Sequence, residues 1–225
     1  MRLRVATYNV RGFRDGLDGV ARVVESHRLD LLLLQETGPR HTLRALAHST
    51  SMEAAADPFS PFRRRVKNAV LVGPPWRILR QRLHRFAGSS RLYPRGALIA
   101  EVGRAERRLW AVSIHLGLSP LERDAHVREL ASVCKALAGA PIVIGGDLNA
   151  RPGEQAPLVL GGPFEDVWPA AGNGGGETFP ARDPAARIDY VFVSTELVAE
   201  SASVVGAPTA SDHLPVVAEL SFGTL

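Results

Sequence analysis

The sequence predicts an α/β or α+β fold, in which a mixed β-sheet or two packed sheets carry helices on their outer faces. Three observations lead there. A β-α-β pattern opens the chain over residues 5–35. A second β-α-β pattern occupies residues 109–145. Between them runs a series of short apolar segments separated by glycine and proline turns, the pattern of successive hairpins.

Residues 5–9 read as the first strand, Val5-Ala6-Thr7-Tyr8 leading to Asn9. Over 16–28, Leu17, Val20, Val23, Val24 and His27 fall at helical spacing. The run Leu31-Leu32-Leu33-Leu34-Gln35 predicts a buried strand, and 41–48 a short helix. Residues 69–72, 77–85, 97–102 and 108–115 read as strands. Gly73-Pro74-Pro75, Gly88-Ser89-Ser90 and Gly103-Arg104-Ala105 turn the chain between them. A helix is predicted over 120–137, with Pro120 in its first turn and Gly139 beyond its end. Further strands are predicted at 142–145, 188–194, 203–205 and 215–220. The loop from Gly172 to Gly176 is expected to be mobile or to line the site. A chain of 225 residues with this spread of elements is expected to form one domain, 1–225.

No apolar run is long enough to span a bilayer, and Met1-Arg2-Leu3-Arg4-Val5 runs straight into a strand without the pattern of a leader. The lone Cys134 excludes an internal disulfide and leans towards a reducing, cytoplasmic setting. A monomer is expected. The net charge is +4 and the pI near 9.8, a balance that suits a polyanionic partner or simply follows from an Arg-rich composition. From Pro58 to Ala100 there is no acid, while Arg63, Arg64, Arg65, Lys67, Arg77, Arg80, Arg82, Arg85, Arg91 and Arg95 accumulate. Arg80, Arg82 and His84 alternate and so share one face of a strand. Such a stripe tracks a phosphate backbone or protects a sheet edge.

Polar groups recur where apolar strands end. Asn9, Glu36, His115 and the Gly145-Gly146-Asp147-Leu148-Asn149 segment all stand at such tips. Chemistry placed there rests on rigid elements. Glu36 follows four Leu, and a carboxylate there needs a partner such as a hard cation. Asp147 and Asn149 are two apart and on an extended segment point the same way, suited to holding and orienting a water. Asp189, in Arg187-Ile188-Asp189-Tyr190, suits the second nitrogen of His213, with an ion pair to Arg187 as the plainer alternative.

Taken together these pieces resemble the endonuclease/exonuclease/phosphatase family, the deoxyribonuclease I-like metal-dependent phosphoesterases. The matching stretches are Thr7-Tyr8-Asn9-Val10-Arg11-Gly12, Leu34-Gln35-Glu36, Ser113-Ile114-His115-Leu116, Gly146-Asp147-Leu148-Asn149, Arg187-Ile188-Asp189-Tyr190 and Ser211-Asp212-His213-Leu214-Pro215. They keep the family's order across nearly the whole chain. The resemblance implies a four-layer sandwich of two packed mixed β-sheets flanked by helices, with the site at one edge.

It also implies roles. Glu36 is the principal Mg²⁺ ligand (Mn²⁺ being the alternative), and Asn9 and Asp212 add metal or phosphate contacts. Asp147 aligns or activates the attacking water, and Asn149 contacts phosphate. Asp189 and His213 pair near the scissile phosphate. His115 contacts the phosphate or assists the leaving group, Arg95 binds phosphate, and Thr178-Phe179-Pro180 packs near the substrate. Apurinic endonucleases carry Tyr where this chain has His115, and Trp-Asn where it has Tyr8-Asn9, which points away from abasic-site cleavage. The expected activity is hydrolysis of a phosphodiester, foremost of nucleic acid. The alternatives are a phosphatase or phosphodiesterase acting on an inositol phosphate, nucleotide or phospholipid, and a catalytically silent binding module. No Gly-x-Ser-x-Gly elbow, Walker loop or dinucleotide fingerprint competes.

Overall fold

The computed structural model describes residues 1–59, 64–137, 139–206 and 210–223. In chain order the strands are β1 Arg2–Asn9, β2 Leu31–Gln35, β3 Glu53–Ala56, β4 Ala69–Val72, β5 Arg77–Arg85, β6 Gly96–Arg104, β7 Arg107–His115, β8 Ile142–Asp147, β9 Glu165–Asp166, β10 Asp189–Val193, β11 Leu197–Val204 and β12 Val216–Phe222. The helices are α1 Asp18–His27, α2 Arg40–Ser49, α3 Pro120–Lys135, α4 Gln155–Gly161 and α5 Val167–Ala171.

Two six-stranded sheets result, ordered β11-β12-β1-β2-β4-β3 and β5-β6-β7-β8-β10-β9. Both are mixed. Each holds one parallel pair, β1 with β2 and β7 with β8, among antiparallel neighbours. The four Leu of β2 show how the layers form. Leu31 and Leu33 face the core between the sheets, with Val5, Leu98 and Val143. Leu32 and Leu34 face the opposite way, onto Val20 and Val24 of α1 and Leu43 and Leu46 of α2. The second sheet repeats the arrangement, packing Ile99, Val112 and Ile144 against Val127 and Leu130 of α3. A strand covered on both faces reads as a continuous apolar run, which is why β2 is so plain in the sequence.

Helix α3 begins on a capping box. Ser119 accepts from the Glu122 backbone N–H, Glu122 reaches back, and Pro120 occupies the first turn. Strand β3 and helices α4 and α5 lie outside the predicted elements. Strand β3 contains three consecutive Ala, weak strand formers. Helix α4 is one short segment carrying Pro157. The loop from Gly172 to Gly176 packs on α5, where Trp168 Nε1 donates to Gly174 O at 3.0 Å.

The glycines at the end of β8 answer a packing demand. A Cβ on Gly145 would stand 2.6 Å from Leu33 Cδ1 and 3.0 Å from Thr7 Cβ, both on the opposite sheet. Gly145 therefore lets the sheets close together directly behind the site. Gly145→Ala should destabilise the protein by about 1–3 kcal/mol through overpacking. Gly161→Ala, where a Cβ meets nothing within 4 Å, should stay within about 0.5 kcal/mol of the parent. Urea denaturation of both variants checks this, and equal stabilities would refute the close-approach argument.

Candidate active site

Register brings the sequence-predicted residues to one edge. Asn9 pairs with Gln35 at the C-terminal ends of β1 and β2, so Glu36 follows one step beyond. In the other sheet His115 pairs with Asp147, and Asp147 with Asp189. The sheets stack with these tips together, and the chain returns past them at Ser211-Asp212-His213.

Asp147 is the hub, 1% exposed. Its Oδ2 accepts from Asn9 Nδ2 at 3.0 Å, a bond that crosses between the sheets. The same oxygen lies 3.3 Å from His115 Nε2 and 3.8 Å from His213 Nε2. Its Oδ1 accepts the backbone N–H of Asn149 at 2.9 Å. Asp147 and Asn149 do not share one extended face as the sequence suggests. The strand stops at Asp147, the carboxylate closes a turn on the Asn149 N–H, and Asn149 adopts φ 50°. The Asn149 amide then donates to Leu116 O at 3.2 Å.

Asp189 Oδ2 accepts from Thr178 Oγ1 at 2.6 Å and from His213 Nδ1 at 2.9 Å, while Asp189 Oδ1 is buried without a partner among the described residues. Phe179 lies against the His213 ring, centroids 4.8 Å apart. The Arg187 alternative fails because Arg187 pairs with Asp166 instead, at 2.7 and 3.2 Å. Arg95 Nη1 lies 2.5 Å from His115 Nδ1 and 2.7 Å from its Nε2, and that Nε2 lies 3.3 Å from Asp147 Oδ2.

The two histidines are driven apart electrostatically. Burial lowers the His115 pKa well below the usual imidazole value, and the charges of Arg95 and His213 add to it, so His115 is neutral. Burial alone would lower His213 too. The charge and hydrogen bond of Asp189, with Asp147 and Asp212 behind them, outweigh it and raise His213 to about 9. Asp147 is raised by burial and by Asp189, partly offset by His213. One site thus holds a neutral imidazole, a cationic imidazole and a carboxylate of raised proton affinity.

The predicted metal ligands separate into two kinds. Glu36 is half-buried, adopts φ 52°, and its carboxylate has no hydrogen-bond donor among the described residues. It sits in the fields of Lys67 and Arg95. An unclaimed oxygen pair at a strand tip fits a hard divalent cation. Asn9 and Asp212 already have protein partners. Asn9 Oδ1 accepts from the Arg11 N–H, and Asp212 Oδ2 lies 3.2 Å from Arg11 Nε. Asp147, Asp189 and His213 also offer ligand atoms within 4.8 Å of one another. There the protonated His213 already offsets part of the carboxylate charge.

Sequence reasoning left several supports unassigned. Gln35 Nε2 donates to Ser113 Oγ at 3.2 Å, and Asn68 Nδ2 to Gly96 O and Ser113 O at 2.9 Å. These bonds tie the sheets together just behind the tips. Ser211 Oγ donates to Asn9 O at 2.7 Å. Only their place beside the motifs could have flagged them. The basic stretch divides. Arg77 pairs with Glu53, Arg80 with Glu101, His84 with Glu129 and Arg85 with Asp57, as at a protected sheet edge. Arg65, Lys67 and Arg95 turn towards the site. Arg63 lies outside the described residues.

Two stacked mixed sheets with outer helices and a polar cluster at their common edge define a phosphoesterase fold of the deoxyribonuclease I-like type. Residues 6–213 match the Endonuclease/Exonuclease/phosphatase family, and the chain belongs to it. Members of that family hydrolyse phosphoester bonds. Solved structures agree in fold. An endonuclease/exonuclease/phosphatase from Bacteroides vulgatus superposes with TM-score 0.86 at 18% identity, covering 99% of this chain and 100% of that one. A mannosyl-6-phosphatase from Bacteroides thetaiotaomicron gives 0.81 at 18%, covering 98% and 100%. D. rerio TDP2 complexed with single-strand DNA product gives 0.79 at 18%, covering 98% and 99%. No curated protein matches the chain. No helix among the described residues is long and apolar enough to cross a membrane.

The Asp189–His213 pair makes a pH prediction for the metal-free protein. His213 has a folded pKa above its ordinary value of 6.5, so its contribution to stability is complete below about 6.5 and is lost as pH rises through about 9. In Asp189→Asn the raising charge is gone and burial remains, so the His213 resonances should titrate well below 9. NMR titration of both proteins reads this directly. An unchanged midpoint would show that Asp189 does not set the charge of His213.

Proposed function

We propose that this protein is a divalent-metal-dependent phosphoesterase that cleaves a phosphodiester by in-line attack of water, with nucleic acid as its foremost substrate. The observation that carries the reading is Asp147, a buried carboxylate of raised proton affinity standing between a neutral and a cationic imidazole. Asp147 holds the water through one oxygen and takes its proton, a task for which a raised pKa is suited. Asn9 and the Asn149 N–H fix that carboxylate in place. His213, kept cationic by Asp189, faces the charge that develops on the phosphoryl oxygens. His115 and the Arg95 guanidinium stand on the adjoining side. A cation on Glu36, Mg²⁺ or Mn²⁺, would supply further neutralisation of the phosphoryl and leaving oxygens.

A second reading, hydrolysis of a small phosphate monoester, is favoured by the cavity of about 420 Å³ that opens beside His115 and Arg95. Cleavage of plasmid DNA, oligonucleotides, bis-p-nitrophenyl phosphate and simple monoesters separates the two. Turnover should require Mg²⁺ or Mn²⁺ and stop with chelator. Asp147→Asn and His213→Ala should each lower kcat by about 10²- to 10⁴-fold. Metal-independent rates, or variants as active as the parent, would overturn the assignment. Binding of nucleic acid without turnover of any ester would leave a silent module.

A further inference from the structure

The cavity beside His115 and Arg95 has a volume of about 420 Å³, within the range of small-molecule sites. Four cations, Arg14, Arg65, Lys67 and Arg95, line it against two carboxylates, Glu36 and Glu122. Lys67 Nζ stands 5.5 Å over the centroid of the Tyr93 ring, which is 64% exposed. Tyr93 and Leu118 give the cavity an apolar side.

The cationic wall is anchored. Thr37, next to Glu36, donates its N–H to Lys67 O at 2.8 Å. Asn68 is fixed by its two bonds to β6 and β7. Buried Asp57 gathers the Val66 N–H and Arg85 at 2.7 and 3.1 Å. Lys67 thus stands on a rigid segment between bonded neighbours. Burial lowers its pKa, and Arg65, Arg14 and Arg95 press the same way while Glu36 opposes them. On β5, Arg77, Arg80, His84 and Arg85 meet Glu53, Glu101, Glu129 and Asp57 in turn.

We propose that this cavity is a specificity subsite for a second anionic group of the substrate, borne on a ring that lies against Tyr93 while the scissile phosphate lies at His115 and Asp147. The proposal rests on the phosphoesterase reading. The shared chemistry is a ring carrying two phosphates, found both at a nucleic-acid end and in a phosphorylated polyol.

Equilibrium binding in excess chelator tests the subsite without turnover. Titration calorimetry would compare adenosine 5′-phosphate with adenosine 3′,5′-bisphosphate, and an inositol monophosphate with an inositol bisphosphate. The bisphosphate of at least one pair should bind about tenfold or more tightly than its monophosphate. The pair showing the preference identifies the source. Lys67→Gln should collapse that ratio towards one, and Lys67→Arg should retain most of it. Tyr93→Ala should weaken both members of the preferred pair. Equal affinities within both pairs, or a ratio that survives in folded Lys67→Gln, would overturn the subsite. Loss of metal-dependent ester hydrolysis is read separately, with bis-p-nitrophenyl phosphate, and bears on the phosphoesterase reading alone.

Discussion

The bond from Asn9 to Asp147 is the constraint on which the site depends. It joins the tip of β1 in one sheet to the tip of β8 in the other. Two apolar sheet faces alone would tolerate sliding, because dispersion and burial are not directional. Polar groups between the sheets remove that freedom. Thr7, Gln35, Ser113 and Asn68 satisfy one another and nearby carbonyls in a buried seam behind the tips. A shift of one sheet would leave several of these groups unpaired, each at about 1–3 kcal/mol. Gly145 lets the faces meet closely enough for the seam to form. Sheet alignment and site geometry are therefore one structural fact.

On that frame, identical side chains acquire opposite charge states. His115 and His213 are both buried near Asp147. Arg95 faces the first and Asp189 the second, so burial is reinforced in one case and overcome in the other. Neither state requires a shift in backbone. Each follows from which strand tip lies alongside, which the sheet order decides. The imidazole that carries charge is also the one clamped by the Asp189 carboxylate, whose bonding oxygen Thr178 supports, and by the Phe179 ring.

Much of this was legible in the sequence where burial imposes a pattern. Strands β2, β4 and β5 have the bounds that their apolar runs and glycine turns predict, and the order of the motifs places Asn9, His115, Asp147 and His213 at one edge. Other features leave little local trace. The Ala-rich β3 forms because β4 offers a free edge, not because its residues favour extension. Helix α4 follows from packing of Ala156 and Leu160 despite Pro157. The turn at Asn149 depends on the Asp147 carboxylate, so spacing alone predicted the wrong direction. Arg187 looked to its neighbour two residues on, and its partner proved to be 21 residues away.

The basic stretch shows the same limit for charge. Counted along the chain it is one run, yet its members do different things according to where they stand. Arg77, Arg80 and Arg85 on β5 meet acids from adjoining elements, because a strand sets its side chains beside fixed neighbours. Arg14, Arg65, Lys67 and Arg95, which stand outside the strands, gather around the cavity. Positive φ at Arg11, Phe13, Glu36 and Asn149 belongs to strand exits, where the chain turns abruptly to present side chains and the packed sheets absorb the strain. A fold arranged in this way separates two duties. The strand tips hold Asp147, His115 and Asp189 in a fixed relation, while the connections carrying Arg14, Lys67 and Tyr93 are open to change without disturbing them. Under the proposed function, substrate preference is a property of the connections, and bond cleavage a property of the tips.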